Sequence, residues 1–219
     1  ISQYPSYPGY GKSVEISSFW SDNFKLSYAW LATNETGKWE NKTTYNSPIN
    51  FNGASSGWAN FTWLNLSIPP GSIIAWRIYA NDTSGNENST TIMTFEIKPT
   101  FLYVNLLTPP SNSLTYVLQN STFLTNATAT CYTLGTGGTC GKIFATVLYN
   151  LSSSYPNTPV NQTYGDKPFF INETPANSTK ICSEILNAGE NCTVSWIINA
   201  SGDAYTDWKI GVNFSSNVS

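Results

Sequence analysis

Sixteen Asn-x-Ser/Thr triplets run through this 219-residue chain, none with Pro in the middle. They begin at Asn34, Asn41, Asn60, Asn65, Asn81, Asn88, Asn120, Asn126, Asn150, Asn161, Asn172, Asn177, Asn191, Asn199, Asn213 and Asn217. The chemistry they offer is covalent: the side-chain amide of each Asn can accept an N-linked glycan, which requires a surface position in an exported protein. With 25 Asn and 53 Ser plus Thr, random order would produce roughly six such triplets. The excess is nearly threefold, so the chain is expected to carry a coat of sugar.

The four cysteines, Cys131, Cys140, Cys182 and Cys192, all fall in the second half. An even count in a triplet-rich chain predicts disulfides formed in an oxidising compartment. The pairs Cys131–Cys140 and Cys182–Cys192 are favoured, because each brackets turn chemistry: Leu134-Gly135-Thr136-Gly137-Gly138 in one, Asn187-Ala188-Gly189 in the other. A zinc site would need short paired spacings such as Cys-x-x-Cys, which are missing. Cys192 lies inside the triplet of Asn191, so that Asn is a poor acceptor and is set apart from the other fifteen.

Catalytic chemistry is poorly provided for. The chain has no His, which removes Ser-His-Asp and Cys-His triads and the usual neutral-pH base. A carboxylate pair such as Glu173 with Glu184 could in principle hydrolyse a glycoside, but no motif supports it. No Gly-rich phosphate loop opens a helix. The segment Tyr79-Ala80-Asn81-Asp82-Thr83-Ser84-Gly85-Asn86-Glu87-Asn88 offers oxygens for calcium at Asp82, Asn86 and Glu87. It reads better as a turn in which Asp and Asn cap the backbone and Gly85 supplies positive φ. The expectation is a non-enzyme with no metal and no cofactor, carrying covalent N-linked glycans only.

Composition agrees. Net charge is −3, and only 11% of residues are charged. There is no basic cluster for nucleic acid, and no apolar run approaches the roughly 18 residues of a membrane span. A sugar coat would supply the hydration that the sparse charge does not. The chain opens at Ile1 without a leader-like segment, which reads as an excised ectodomain with any anchor outside these residues.

The elements that must position these groups are strands. Runs rich in Val, Ile, Phe, Tyr, Trp and Thr alternate with polar residues between Gly/Asn/Ser/Pro clusters. Strands are expected near 13–20, 24–33, 38–41, 43–51, 58–67, 72–81 and 90–98, then near 101–107, 114–118, 122–133, 141–151, 159–164, 168–173, 180–186, 191–199 and 206–215. The phases of Phe61/Trp63 and Leu64/Leu66 conflict, which a bulge after Trp63 would resolve. Val194, Trp196 and Ile198 should point inward, as should Trp208, Ile210, Val212 and Phe214, leaving Asn199 and Asn213 outward. Most of the eight Trp are expected in the core, with Trp39 the likeliest exposed exception. The prediction is an all-β fold of two Ig-like β-sandwich domains in tandem, 12–99 and 100–219, after an extended N-terminal arm or linker at 1–11. Tyr4, Tyr7 and Tyr10 make that arm a candidate assembly segment that adds a strand to a neighbour.

The first half resembles Ig-like domains of large archaeal surface proteins. The resemblance rests on Phe19-Trp20-Ser21-Asp22-Asn23, Thr33-Asn34-Glu35-Thr36-Gly37 and Tyr79-Ala80-Asn81-Asp82-Thr83-Ser84-Gly85-Asn86. The second half, from Ile185-Leu186-Asn187-Ala188-Gly189-Glu190 through Cys192-Thr193-Val194-Ser195-Trp196 to Gly211-Val212-Asn213-Phe214-Ser215-Ser216, is similar to cell-adhesion-related β-sandwich modules of the same kind of protein. The resemblance implies an extracellular module of an archaeal cell surface, repeated in a filament, thread or surface layer, and carries over no catalytic residues; its expected partners are copies of itself in a polymer. The expected function is a structural subunit of a glycosylated surface filament that assembles head to tail. The alternative is an adhesin or receptor ectodomain that binds glycans or a protein, with Trp39 and Tyr45 as candidate contacts.

Overall fold

Strand periodicity accounts for nearly every element, because apolar side chains at every second residue give each strand one face to bury. The computed structural model describes residues 1–218 other than Asn112 and Ser152. Ser152 and Ser219, which complete the triplets of Asn150 and Asn217, lie outside the described residues. The chain divides into two units: 1–100 with 133–139, and 101–132 with 140–219. The first unit thus takes in the short segment 133–139, which the sequence alone assigned to the second half.

In the first unit, β1 (Ser2–Tyr4), β2 (Val14–Ser21) and β6 (Ser56–Trp63) form one antiparallel sheet in the order β1-β2-β6. The second sheet is built on β3 (Leu26–Thr33) and β7 (Ile73–Asp82). It is extended by β4 (Glu40–Asn41) and β5 (Ile49–Asn50) on β3, and by β8 (Glu87–Ser89) and β9 (Met93–Glu96) on β7. These orders are the A-B-E and C′-C-F-G sheets of an Ig-like sandwich. Val14, Ile16, Phe61 and Trp63 of one sheet share a core with Leu31, Ile74, Trp76 and Ile78 of the other.

Residues 1–11 are not a free arm. They belong to the first unit, and Ser2–Tyr4 occupies the place of strand A. The reason is polar as much as apolar. Trp76 is fully buried, and its indole N–H donates to Gln3 Oε1 at 2.6 Å. Tyr10 donates its hydroxyl to Leu66 O at 2.7 Å. The backbone of 8–10 exchanges bonds with Lys98 and Thr136, among them Lys98 N to Pro8 O at 2.7 Å and Gly9 N to Thr136 O at 3.2 Å. Glycine is required in that seam: a Cβ on Gly9 would lie 2.1 Å from Gly137 O. Tyr4 and Tyr7 remain exposed.

The second unit contains β10 (Thr100–Thr108), β11 (Thr122–Thr133), β12 (Thr139–Tyr149), β13 (Thr158–Pro159), β14 (Phe169–Ile171), β15 (Thr179–Asn187), β16 (Asn191–Ala200) and β17 (Ile210–Ser216). One sheet runs β10-β11-β16-β14, the A-B-E-D order of an Ig-like sandwich. In the other, β12 pairs with β13 and β15 and also with β17, which gives strands C and F. Val147, Tyr149, Trp196 and Ile198 fill its core, and the buried Trp196 indole donates to Asn177 O at 2.9 Å. Both disulfides form as expected, Cys131–Cys140 and Cys182–Cys192. That is the chemistry of an oxidising, extracellular-type compartment. Among the described residues no helix is long and apolar enough to cross a membrane.

Several expected strands differ. The run 43–51 shrinks to Ile49–Asn50, because Tyr45 and Asn46 adopt φ of 62° and 64°. Residues 114–118 lie outside every strand, with Leu114, Tyr116 and Leu118 exposed. No bulge follows Trp63: β6 ends there, and Leu64 and Leu66 are exposed in the loop that follows. Trp208 precedes β17 instead of lying within it. Replacing Gln3 by Ala strands the Trp76 indole, and should lower unfolding free energy by about 1–3 kcal/mol in a urea titration.

Candidate glycan-bearing surface and assembly edge

None of the sixteen triplet Asn is buried: nine are exposed and seven half-buried. Asn is exposed in most proteins, so the bonding of the side chain discriminates better. A glycan is carried on Nδ2. That atom donates to Ser153 O in Asn150 (3.4 Å), to Lys167 O in Asn161 (3.1 Å) and to Asn120 O in Asn199 (3.2 Å). Asn199 was expected to point freely outward, but it sits half-buried at the end of β16. Asn126 has a buried Oδ1 without a hydrogen-bond partner. Asn191 is exposed at the first residue of β16, beside the disulfide-bonded Cys192. Asn41, Asn60, Asn172 and Asn213 are exposed.

The outer faces of the first unit carry aromatic rings. On the β3/β7 sheet, Trp30 and Tyr79 are directly opposite and stacked at 5.7 Å. The Arg77 guanidinium lies 4.6 Å from the Tyr79 ring and 5.1 Å from that of Trp39, a cation–π stack of four side chains. Trp39 ends it and is 41% exposed, as expected of it. On the other sheet, Phe19 and Trp58 are directly opposite and packed edge to face at 5.4 Å. They are 54% and 56% exposed. The sequence reading missed this pair, although Trp58 and Asn60 lie in one strand phase opposite to Ala59 and Phe61.

Tyr45 and Trp39 do not share a cleft. Tyr45 packs against the core and donates its hydroxyl to Glu35 Oε1 at 3.1 Å. Glu35 also accepts from the Trp63 indole and pairs with Lys42 Nζ at 2.9 Å. Burial, followed by the Glu35 charge, pushes the Tyr45 hydroxyl up to about 12. Burial works against the charge of Lys42, but its bonds to Glu35 and Glu40 outweigh it and raise its pKa. The cluster is a structural clamp on the start of β4. Glu173 and Glu184 are held by different lysines, Lys180 at 2.6 Å and Lys142 at 2.8 Å.

The Asp82 loop is a turn closed by its own side chain. Asp82 Oδ1 accepts from Ser84 N and Asn86 N, each at 2.8 Å, and Oδ2 accepts from Asn86 Nδ2 at 2.7 Å. Gly85 takes φ of 89°. The Asn86 side-chain bond, helped by the backbone bonds, holds the Asp82 carboxyl below its ordinary value of 3.8.

In the second unit the exposed feature is an edge. β17 pairs with β12 along 143–149, and no described residue pairs with its other side. That side is where strand G lies in an Ig-like sandwich. Its inward residues Ile210, Val212 and Phe214 are only half-buried, whereas Val194, Trp196 and Ile198 of β16 are buried. A cavity of about 630 Å³ opens at the same end of the core, lined by Leu106, Leu114, Phe123, Phe169, Trp208 and Ile210.

No family model matches the chain, and no curated protein does. Among solved structures, the fibronectin(III)-like modules of CbhA from Clostridium thermocellum align over 94% of this chain and 96% of theirs, at 12% identity and a TM-score of 0.28. A likeness that weak carries no argument, and the Ig-like topology rests on the strand pairing itself.

If glycans are added to the folded chain, intact-glycopeptide mass spectrometry should find high occupancy at Asn41, Asn60, Asn172 and Asn213. It should find low occupancy at Asn126, Asn150, Asn161, Asn191 and Asn199; even occupancy across the two groups would contradict this. The Asp82 turn predicts a pH effect. A carboxyl depressed in the folded state stabilises above its unfolded value and loses that contribution as pH falls through the folded value. The difference in melting midpoint between the unaltered chain and Asp82→Ala should therefore hold from about pH 7 to about pH 4 and close below it.

Proposed function

We propose that this chain is a structural, non-catalytic subunit of a heavily N-glycosylated cell-surface filament, joined head to tail by a strand that one copy adds to the next. The observation that carries this reading is the outer edge of β17, which no described residue pairs, with Ile210, Val212 and Phe214 half-covered beside it. An open edge of this kind is a template for another chain, and natural proteins normally protect it. An added strand would gain main-chain hydrogen bonds and would cover the exposed apolar row. Because donor and acceptor patches differ, the contact is heterologous and propagates as an open fibre.

The donor in this reading is the N-terminal segment of a second copy. Within its own chain β1 is only three residues long and pairs with a single strand, and its exchange would require the incoming copy to restore the Gln3 bond to the buried Trp76 indole. The density of glycan acceptors supports a surface location and leaves residues 1–33 and 89–119 as the longest stretches where none begins. A second reading, an adhesin that binds glycans or a protein, draws on the exposed pair Phe19 and Trp58.

Negative-stain imaging of the purified chain should show fibres of regular repeat. Val212→Lys should give folded monomers by circular dichroism, and deletion of residues 1–11 should abolish the fibres if that segment is the donor, with a lower melting midpoint from the lost Gln3–Trp76 bond. Fibres from the deleted chain would exclude the segment from the joint. Discrete monomers of the unaltered chain that bind a glycan array would sink the filament reading in favour of the adhesin.

A further inference from the structure

We propose that the exposed Trp58 is a platform for the first sugar of the chain's own glycan at Asn60, with Trp39 serving Asn41 in the same way on the opposite sheet. This inference rests on the reading that the triplets are used. Both sites have the form Trp-x-Asn-x-Thr: Trp58-Ala59-Asn60-Phe61-Thr62 and Trp39-Glu40-Asn41-Lys42-Thr43. In an extended strand, residues two apart project from the same face, about 7 Å apart along the chain. An aromatic two places before the acceptor is therefore its neighbour along that face, within reach of a sugar carried on the Asn.

The structure shows this alternation for the first pair; in the second, Trp39 immediately precedes the two-residue β4 and is placed by its stacking on Arg77. In β6, Trp58 and Asn60 are exposed while Ala59 and Phe61 are buried. Across the sheet Trp58 faces Phe19, and Asn60 faces Ser17. Phe19 holds the indole edge to face, and the small Ser17 leaves space beside Asn60. On the other sheet, Asn41 pairs with Ala32, which pairs with Arg77. Directly opposite side chains share a face, so Asn41, the small Ala32 and the Arg77 that supports Trp39 form one row. Neither Trp58 nor Trp39 contributes to the core. The apolar face of a pyranose ring laid on an indole would remove both surfaces from water. Each ring is already supported from the protein side, so little side-chain freedom would be lost.

The test is a double-mutant cycle on the full chain produced in a glycosylating host, with occupancy at Asn60 read by glycopeptide mass spectrometry. Asn60→Gln should lower the melting midpoint by about 4 °C in the unaltered background. It should have little effect in the Trp58→Ala background, and Trp58→Phe should retain most of the coupling. Equal losses in both backgrounds, with Asn60 occupied, would overturn the platform while leaving the glycoprotein reading intact. An empty Asn60 beside other occupied triplets would also overturn it. Sixteen empty triplets would overturn both. Because Trp58 is exposed, its Ala variant should fold, and Asn41→Gln with Trp39→Ala gives an independent second cycle.

Discussion

A β-strand has two faces, and in a two-layer sandwich only one of them can be buried. Everything else in this chain follows from that constraint. On β7 the burial alternates without a break from Ile73 to Asp82, so Trp76 and Ile78 fill the core while Arg77 and Tyr79 are left outside. On β6 the same alternation buries Phe61 and exposes Trp58 and Asn60. The outward face must be made compatible with water, yet only 11% of residues are charged. Acceptor triplets and supported aromatic rings occupy the places where lysines and glutamates would ordinarily sit.

The inward face sets a second requirement. Large aromatics supply much of the apolar area, and each buried indole brings an N–H that needs an acceptor. Trp76 finds Gln3, Trp63 finds Glu35, and Trp196 finds the carbonyl of Asn177. These three bonds reach into segments that would otherwise read as loops or termini. They explain why the Tyr/Pro-rich opening is part of the first unit, and why the Glu35–Lys42 pair sits behind a short strand. In the second unit Trp196 and Trp208 both have acceptors, but the inward row of β17 keeps partial access to solvent along the side that no described residue pairs.

The long alternating runs were legible in sequence. Strands at 14–21, 26–33, 73–82, 122–133 and 191–200 lie close to where periodicity put them, and the two disulfides follow from turn residues between nearby cysteines. Short elements were not legible. Residues 43–51 look strand-like, yet Tyr45 and Asn46 adopt positive φ because Tyr45 is drawn to Glu35 and the core. Leu64 and Leu66 looked like a strand out of phase and are instead exposed loop residues. Residues 114–118 have the composition of a strand but pair with none of the described strands. Periodicity reports which face a residue would take in a strand, not whether a partner strand exists.

The sequence alone was enough for the all-β class, the two-unit division, the inward residues of the long strands and the set of glycan-acceptor triplets. All of these depend on residue type and local spacing. Long-range pairing alone settles that Ser2–Tyr4 supplies strand A, that Leu134–Gly138 receives the backbone of the segment after it, that Trp58 stands beside Asn60 against Phe19, and that no described residue pairs the outer side of β17. Each of these depends on pairing between residues distant in the chain, and single-strand spacing carries no information about which edge meets which.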